Sequence, residues 1–106
     1  MAKVEVNPGI CGFHTTIRVT AQGKQNVKID FATTCPSMKP LEEELKEANG
    51  IKECFAKVGE SNIYQICRKY CKHAACPVPS AIIKGIEVAC GLALPKNVEM
   101  KISKEE

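Results

Sequence analysis

The seven cysteines are the residues of this sequence whose type and spacing could do chemistry. A thiolate binds metals and exchanges with disulfides, whereas a buried thiol behaves as a small apolar group. No Cys-x-x-Cys pair is present, so neither a zinc-knuckle spacing nor a thioredoxin-type spacing occurs. The role of each cysteine therefore has to be predicted from the element on which it lies.

Three cysteines lie on the apolar stripes of predicted helices. Cys54 follows the helical spacing of Ile51, Cys90 follows that of Ile86, and Cys67 shares an apolar helix face. Free cysteine is among the residue types that are most often buried. We therefore expect Cys54, Cys67 and Cys90 to pack in the core.

The other four cysteines lie on turns and at the ends of elements. Cys11 is in the turn after the first predicted strand, Cys35 ends the third, Cys71 is near a helix C-terminus, and Cys76 precedes the last helix. In an antiparallel meander, the turn after the first strand and the end of the third lie at the same sheet edge. A returning helix would bring Cys71 and Cys76 to that edge, so the four thiols are predicted to meet there.

Thiols on turns and helix ends are suited to binding a metal. Cys35 and Cys76 are each followed by proline. The pair Cys-Pro is common among the ligands of iron–sulfur clusters, which favours such a cluster over zinc. The predicted metal ligands are Cys11, Cys35, Cys71 and Cys76, with His73 as a replacement for Cys71 or as a residue that orients a ligand. Two plainer interpretations stay open. The thiols could be small residues in tight turns, and His73 could be a helix C-terminal cation.

The elements that must position these residues begin with three strands of alternating polar and apolar residues, over 3–7, 14–22 and 27–33. Four helices are predicted over 36–49, 51–58, 62–74 and 80–93, the third capped by Ser61. A last strand would turn Val98, Met100 and Ile102 inward. The order βββααααβ predicts a single α+β domain over 1–106. Its mainly antiparallel sheet would have three N-terminal strands plus the C-terminal one, with three to four helices covering one face.

Composition limits the possible functions. The 106 residues suffice for one core, and 44% apolar with 25% charged residues is typical of a globular domain. No apolar run approaches the length of a membrane helix, and the first residues lack a signal region, which predicts a cytoplasmic protein that binds no membrane. A net charge of +3 with only three Phe and two Tyr argues against nucleic acid as a partner.

Three segments resemble an uncharacterised family, a domain of unknown function found in small cysteine-containing proteins of anaerobic bacteria and archaea. They are Gly9-Ile10-Cys11-Gly12-Phe13, the run from His73 to Ile82, and Gly91-Leu92-Ala93-Leu94-Pro95. The resemblance spans nearly the whole chain. It implies an anaerobic cytoplasm, in which an exposed iron–sulfur cluster would survive. It supplies no catalytic residue.

Three functions remain open. The first is a metal-centre protein for electron transfer or sensing, with an iron–sulfur cluster or, alternatively, zinc. The second is a thiol redox protein with a reversible disulfide between Cys71 and Cys76 or between Cys11 and Cys35. The third is a non-metal binding or adaptor module. In each case the partner is unknown, and we expect a redox protein or another protein. The sequence has no Gly-x-Ser-x-Gly and no phosphate-binding loop, so enzyme activity stays undecided and the balance is against it.

Overall fold

An antiparallel meander of three strands opens the fold, as the alternation predicts. The structure is a computed structural model that describes residues 1–105. The strands are β1 (Ala2–Val6), β2 (Thr15–Gln22) and β3 (Asn26–Thr33). Val4 is opposite Ile17, and Ile17 is opposite Phe31, so apolar side chains of all three strands share one face. Ile17 and Phe31 are buried in the core on that face.

The helix predicted over 36–49 is confirmed only over one turn, and its predicted limits are wrong. A series of turns follows β3, and only α1 (Leu41–Glu44) is helical before the fourth strand, β4 (Glu47–Asn49), pairs antiparallel with β3. Leu45 leaves the helical region at φ −102° and ψ 88°, and the Lys46 carbonyl accepts from the Ile29 N–H at 2.7 Å. Satisfying backbone groups along β3 thus overrides the helix propensity of this segment.

The predicted C-terminal strand is also wrong. Residues 94–105 contain no strand, and the side chains expected to face inward, Val98, Met100 and Ile102, are exposed. The fourth strand of the sheet comes instead from Glu47–Asn49, which gives the order β1-β2-β3-β4. The fold is therefore α+β with a four-stranded antiparallel sheet, but the element order is not βββααααβ.

Three further helices lie where the sequence predicts helices, with different limits. They are α2 (Gly50–Phe55), α3 (Asn62–Cys67) and α4 (Val78–Ala89). Ser61 caps α3 as predicted, because its Oγ accepts from the Tyr64 N–H at 3.3 Å. A second buried acceptor, the Glu53 carboxylate, takes the Ile63 N–H at 2.6 Å. This bond joins α2 to the start of α3.

The longest helix, α4, packs against β1 and β2. Ile82 and Ile86 are fully buried in the same cluster as Ile17. Gly85 lets α4 approach the sheet closely, since a Cβ atom there would be 2.9 Å from Cγ2 of Val4. In residues 1–105 there is no helix with the length and apolar character needed to cross a membrane.

Candidate thiol site

Cys35 begins a turn that is tied to the end of β3. Its N–H donates to Oγ1 of Thr33 at 3.1 Å, and its carbonyl accepts from the N–H of Met38 at 3.2 Å. Glu42 in α1 accepts from the Thr33 N–H at 3.0 Å, which fixes α1 against the end of the strand. The turn thereby brings Cys35 and the buried Met38 to the same end of the sheet.

The second half of the site is the segment from Cys67 to Cys76. Cys67 is the last residue of α3 and is buried, and the N–H of Cys71 still donates to its carbonyl at 2.8 Å, one helical turn later. Tyr70 and Lys69 both bond to the Glu44 carboxylate of α1. These bonds hold the segment against the Cys35 side of the fold.

Cys76 connects the two halves of the site. Its Sγ lies 3.9 Å from Sδ of Met38, and its N–H donates to the His73 carbonyl at 3.1 Å. The Cys71 thiol donates to the same carbonyl at 3.4 Å, so Cys71 and Cys76 are held by one backbone oxygen. We call Cys35, Cys67, Cys71 and Cys76, together with Met38, the sulfur cluster.

Burial favours the protonated form of two thiols of the sulfur cluster, Cys76 and Cys67. The pKa of Cys76 is raised to about 11, mainly by burial and to a smaller extent by Cys71 and Cys35, against the opposing effect of the Val78 backbone N–H. Burial likewise raises the pKa of Cys67 to about 12, with smaller contributions from Cys71 and Cys76. A thiolate at one of these positions would be poorly solvated and repelled by thiolates at the others.

Two predicted ligands, Cys11 and His73, have exposed side chains, and within the described residues neither side chain makes a hydrogen bond to the sulfur cluster. Cys11 is exposed in the turn between β1 and β2, where the Gly12 N–H donates to the Gly9 carbonyl at 3.0 Å. The His73 side chain is exposed, and only the backbone carbonyl of His73 accepts hydrogen bonds from Cys71 and Cys76.

Cys67 is buried as predicted, but it also joins the sulfur cluster, which sequence reasoning missed. The sequence feature that could have predicted this is the i, i+4 spacing of Cys67 and Cys71, which places both on one face of a helix. Cys54 and Cys90 are half-buried against the core. The pKa of Cys54 is raised to about 11, mainly by burial, with smaller contributions from the neighbouring Glu87 and Cys90. Cys90 lies beside Gly50, whose N–H bonds to Gln25 at the opposite end of β3 from Thr33.

The residues present do not form a ready metal site. Among residues 1–105, no group of three or more Cys, His, Asp or Glu side chains is placed so that it could hold a metal ion. Cys35, Cys71 and Cys76 are neighbours, but they do not form such a group. As it stands, the arrangement places Cys71 and Cys76 side by side at the His73 carbonyl.

Comparison with known families agrees with the resemblance seen in the sequence. A model of the family described as "Family of unknown function (DUF6951)" matches residues 2–102. The chain belongs to this family. No curated protein and no solved structure matches it. Membership in DUF6951 confirms the resemblance to an uncharacterised family, while the anaerobic setting stays a prediction.

Proposed function

We propose that this member of DUF6951 is a thiol redox protein in which Cys71 and Cys76 form a reversible disulfide. The observation that carries the proposal is the shared His73 carbonyl, which accepts from the Cys71 thiol at 3.4 Å and from the Cys76 N–H at 3.1 Å and so holds the two cysteines side by side. Both thiols are only half-buried, and turns rather than a regular helix join them. Such a segment can adjust to the distance that a disulfide requires.

The reaction is an exchange with a low-molecular-weight disulfide such as glutathione disulfide. One protein thiolate attacks a sulfur of that disulfide and releases a thiolate, and a mixed disulfide forms. The second protein thiolate then attacks the mixed disulfide and releases the other thiolate. Two electrons pass from Cys71 and Cys76 to the small disulfide, and the two protons that they lose end on the two released thiols.

The two cysteines have different roles in this exchange. Burial raises the pKa of Cys76 to about 11, so at pH 7 only about one Cys76 in 10⁴ is a thiolate. We therefore assign the first attack to Cys71, whose thiol contacts the His73 carbonyl at the exposed surface. Cys76, held between Cys71 and Met38, is the resolving cysteine.

A redox titration tests the proposal. The protein is equilibrated with mixtures of reduced and oxidised glutathione, free thiols are blocked, and the products are digested with trypsin. Cleavage after Lys69, Lys72 and Lys84 separates Cys71 from Cys76, so a disulfide between them appears as two linked peptides. We expect this linked pair to increase with the oxidised fraction and to disappear on reduction.

The controls separate this pair from the other thiols. Cys71→Ser and Cys76→Ser should each abolish the linked peptides, whereas Cys54→Ser, at the other end of the sheet, should leave the titration unchanged. The proposal is supported if the Cys54→Ser variant still gives the linked Cys71 and Cys76 peptides and its redox titration has the same midpoint as that of the wild type. The absence of the Cys71–Cys76 linkage under all conditions, or its replacement by a linkage to Cys35, would overturn it.

A second candidate function is the metal centre, with an iron–sulfur cluster or zinc. One observation favours it: four of the seven thiols and a thioether lie together, and a bound cation would lower the raised pKa values of Cys67 and Cys76. Cys35, Cys71 and Cys76 would be the ligands. Because these side chains do not form a group that could hold a metal as they stand, a metal would have to draw the turns together. Cys11 and His73 would have to approach from the surface.

Metal content distinguishes the two functions. Protein purified without oxygen is analysed for iron, sulfide and zinc, and its visible absorption is recorded. The decisive variant is Cys35→Ser, which removes a proposed ligand but neither member of the redox pair. Stoichiometric metal that is lost in this variant supports the metal centre. Absence of metal after anaerobic reconstitution contradicts it and leaves the disulfide untouched.

The proposed redox function fits a cytoplasmic location. In a reducing cytoplasm, disulfides are transient and are usually catalytic or redox-sensing rather than structural. The partner would be a thiol or disulfide, either a small molecule or another protein. A pure adaptor role, with the sulfur cluster serving only packing, would show no disulfide and no metal in either experiment.

A further inference from the structure

The segment after α4 is an apolar strand sequence that lies in solvent, and we call residues 94–105 the tail. Val98, Met100 and Ile102 alternate with Glu99 and Lys101, and their exposed fractions are 59%, 74% and 91%. Alternation of this kind is typical of a strand with one buried face. The match to DUF6951 extends through Ile102, so the alternating residues belong to the family's domain.

The sheet has an open edge that fits the tail. Within the described chain, β1 pairs with β2 on one side and with no strand on the other. An edge strand with free backbone groups is a template for an added strand. β1 has the same alternation as the tail: Ala2, Val4 and Val6 face the core side, and Lys3 and Glu5 face out. Val4 is only half-buried, so the apolar side of this edge is incompletely covered.

Charge selects one register between the two segments. In a parallel alignment with Val98 beside Ala2 and Ile102 beside Val6, Glu99 comes beside Lys3 and Lys101 comes beside Glu5. Opposite charges then meet on the outer face, and apolar side chains meet on the inner face. The antiparallel alignment of the same residues would place Glu99 beside Glu5 and Lys101 beside Lys3, which is unfavourable.

The tail does not pair with the β1 of its own chain. The last backbone bond at the end of α4 is from the Ala93 N–H to the Glu87 carbonyl. Pro95 then restricts Leu94 to an extended conformation, which directs the chain away from the helix. Within residues 1–105, no hydrogen bond connects the tail to the sheet. An exposed segment with a strand-like sequence and a complementary free edge in one chain are the two halves of a reciprocal exchange between two copies.

We propose that the protein forms a twofold dimer in which the tail of each copy adds as a parallel fifth strand to β1 of the other. Each interface would contain the two charge pairs and the three apolar contacts of the register above. The exchange buries the apolar side chains of the tail and covers the open edge of β1 in each of the two copies. It is independent of the proposed redox chemistry, because the sulfur cluster lies on other segments.

Light scattering after size exclusion, over a dilution series, tests the dimer. We expect wild-type protein to have twice the chain mass and the double variant Met100→Glu/Ile102→Glu to have the mass of one chain. The tail lies outside the core, so this variant should keep the helical circular dichroism signal of the wild type and lose only the contribution of the added strand. The matched control, Ser103→Glu/Lys104→Glu, changes charge next to the register and should remain dimeric.

A charge-reversal series tests the register. Lys3→Glu/Glu5→Lys alone should weaken the dimer at least tenfold, and adding Glu99→Lys/Lys101→Glu should restore it. A wild-type protein that is monomeric throughout the dilution series overturns the proposal. This holds also if hydrogen exchange then shows that the tail is protected within a single chain. A dimer that survives Met100→Glu/Ile102→Glu overturns it as well, because the association would then use another surface.

Discussion

Sγ of Cys76 lies 3.9 Å from Sδ of Met38, a methionine that is almost fully buried. The contact joins the turn after β3 to the loop before α4, two segments that are far apart in the sequence. A thioether is an adaptable filler of irregular space, so Met38 shapes one wall around the Cys76 thiol. The packing of the core and the position of the resolving cysteine are therefore linked at this residue.

Shortening Met38 should destabilise the fold. We expect Met38→Ala to lower the free energy of unfolding by about 2–5 kcal/mol, because it leaves a cavity beside Cys76. Met38→Leu keeps most of the volume and should cost less than about 1.5 kcal/mol. Urea denaturation under reducing conditions measures both values. Equal losses for the two variants would show that the sulfur atom, rather than the volume, provides the stabilisation.

The stability of the protein should fall at high pH because of Cys67. Burial raises the pKa of this thiol from 9.0 to about 12, so between these values the folded chain binds more protons than the unfolded chain. The stability that the neutral thiol provides is complete below pH 9 and is lost as pH rises towards 12. We expect a slope of up to about 1.4 kcal/mol per pH unit in this range.

Comparison with Cys67→Ala isolates this contribution from the titration of lysines. Its unfolding free energy should depend less on pH above 9 than that of the wild type. Cys11→Ala removes an exposed thiol and should follow the wild-type slope. Identical slopes for the Cys67 variant and the wild type would contradict the assignment.

Glu53 should be essential for the start of α3. Its buried carboxylate accepts from the Ile63 N–H, and Glu53→Ala would leave that donor without a partner. We expect a loss of about 1–3 kcal/mol in unfolding free energy. Glu53→Gln retains a carbonyl acceptor and should lose less, and the exposed Glu60→Ala serves as the control. Hydrogen exchange at the Ile63 amide should accelerate in Glu53→Ala alone, and unchanged exchange would contradict this role.

The sequence predicted the meander and the cap at Ser61, because both depend on local patterns. The limits of the helix over 36–49 were wrong because the strong helix formers near Leu41 compete with the free edge of β3, and pairing across that edge depends on residues far away in the chain. The C-terminal strand was wrong for a related reason. Alternation of apolar residues is typical of a strand, but the pattern does not tell which sheet edge, if any, such a segment joins.

The candidate site was predictable only where topology brought residues together. Cys71 and Cys76 lie near the Cys35 end of the sheet, as the direction of the chain predicts. Cys11 does not reach them, because the long turn after β1 extends into solvent and Ile10 beside it is fully exposed. The length and direction of such a turn depend on its backbone geometry, which side-chain patterns do not encode.

Gly50 should not tolerate alanine, although alanine is the better helix former. A Cβ atom at this first residue of α2 would lie 2.5 Å from Sγ of Cys90 and 3.1 Å from the Gln25 carbonyl oxygen. We expect Gly50→Ala to lower the unfolding free energy by about 1–3 kcal/mol through overpacking. In a Cys90→Ala background, the shorter contact disappears and the same substitution should cost less. Urea denaturation of the four proteins gives the coupling between the two sites, and strict additivity would contradict the close packing of α2 on the end of α4.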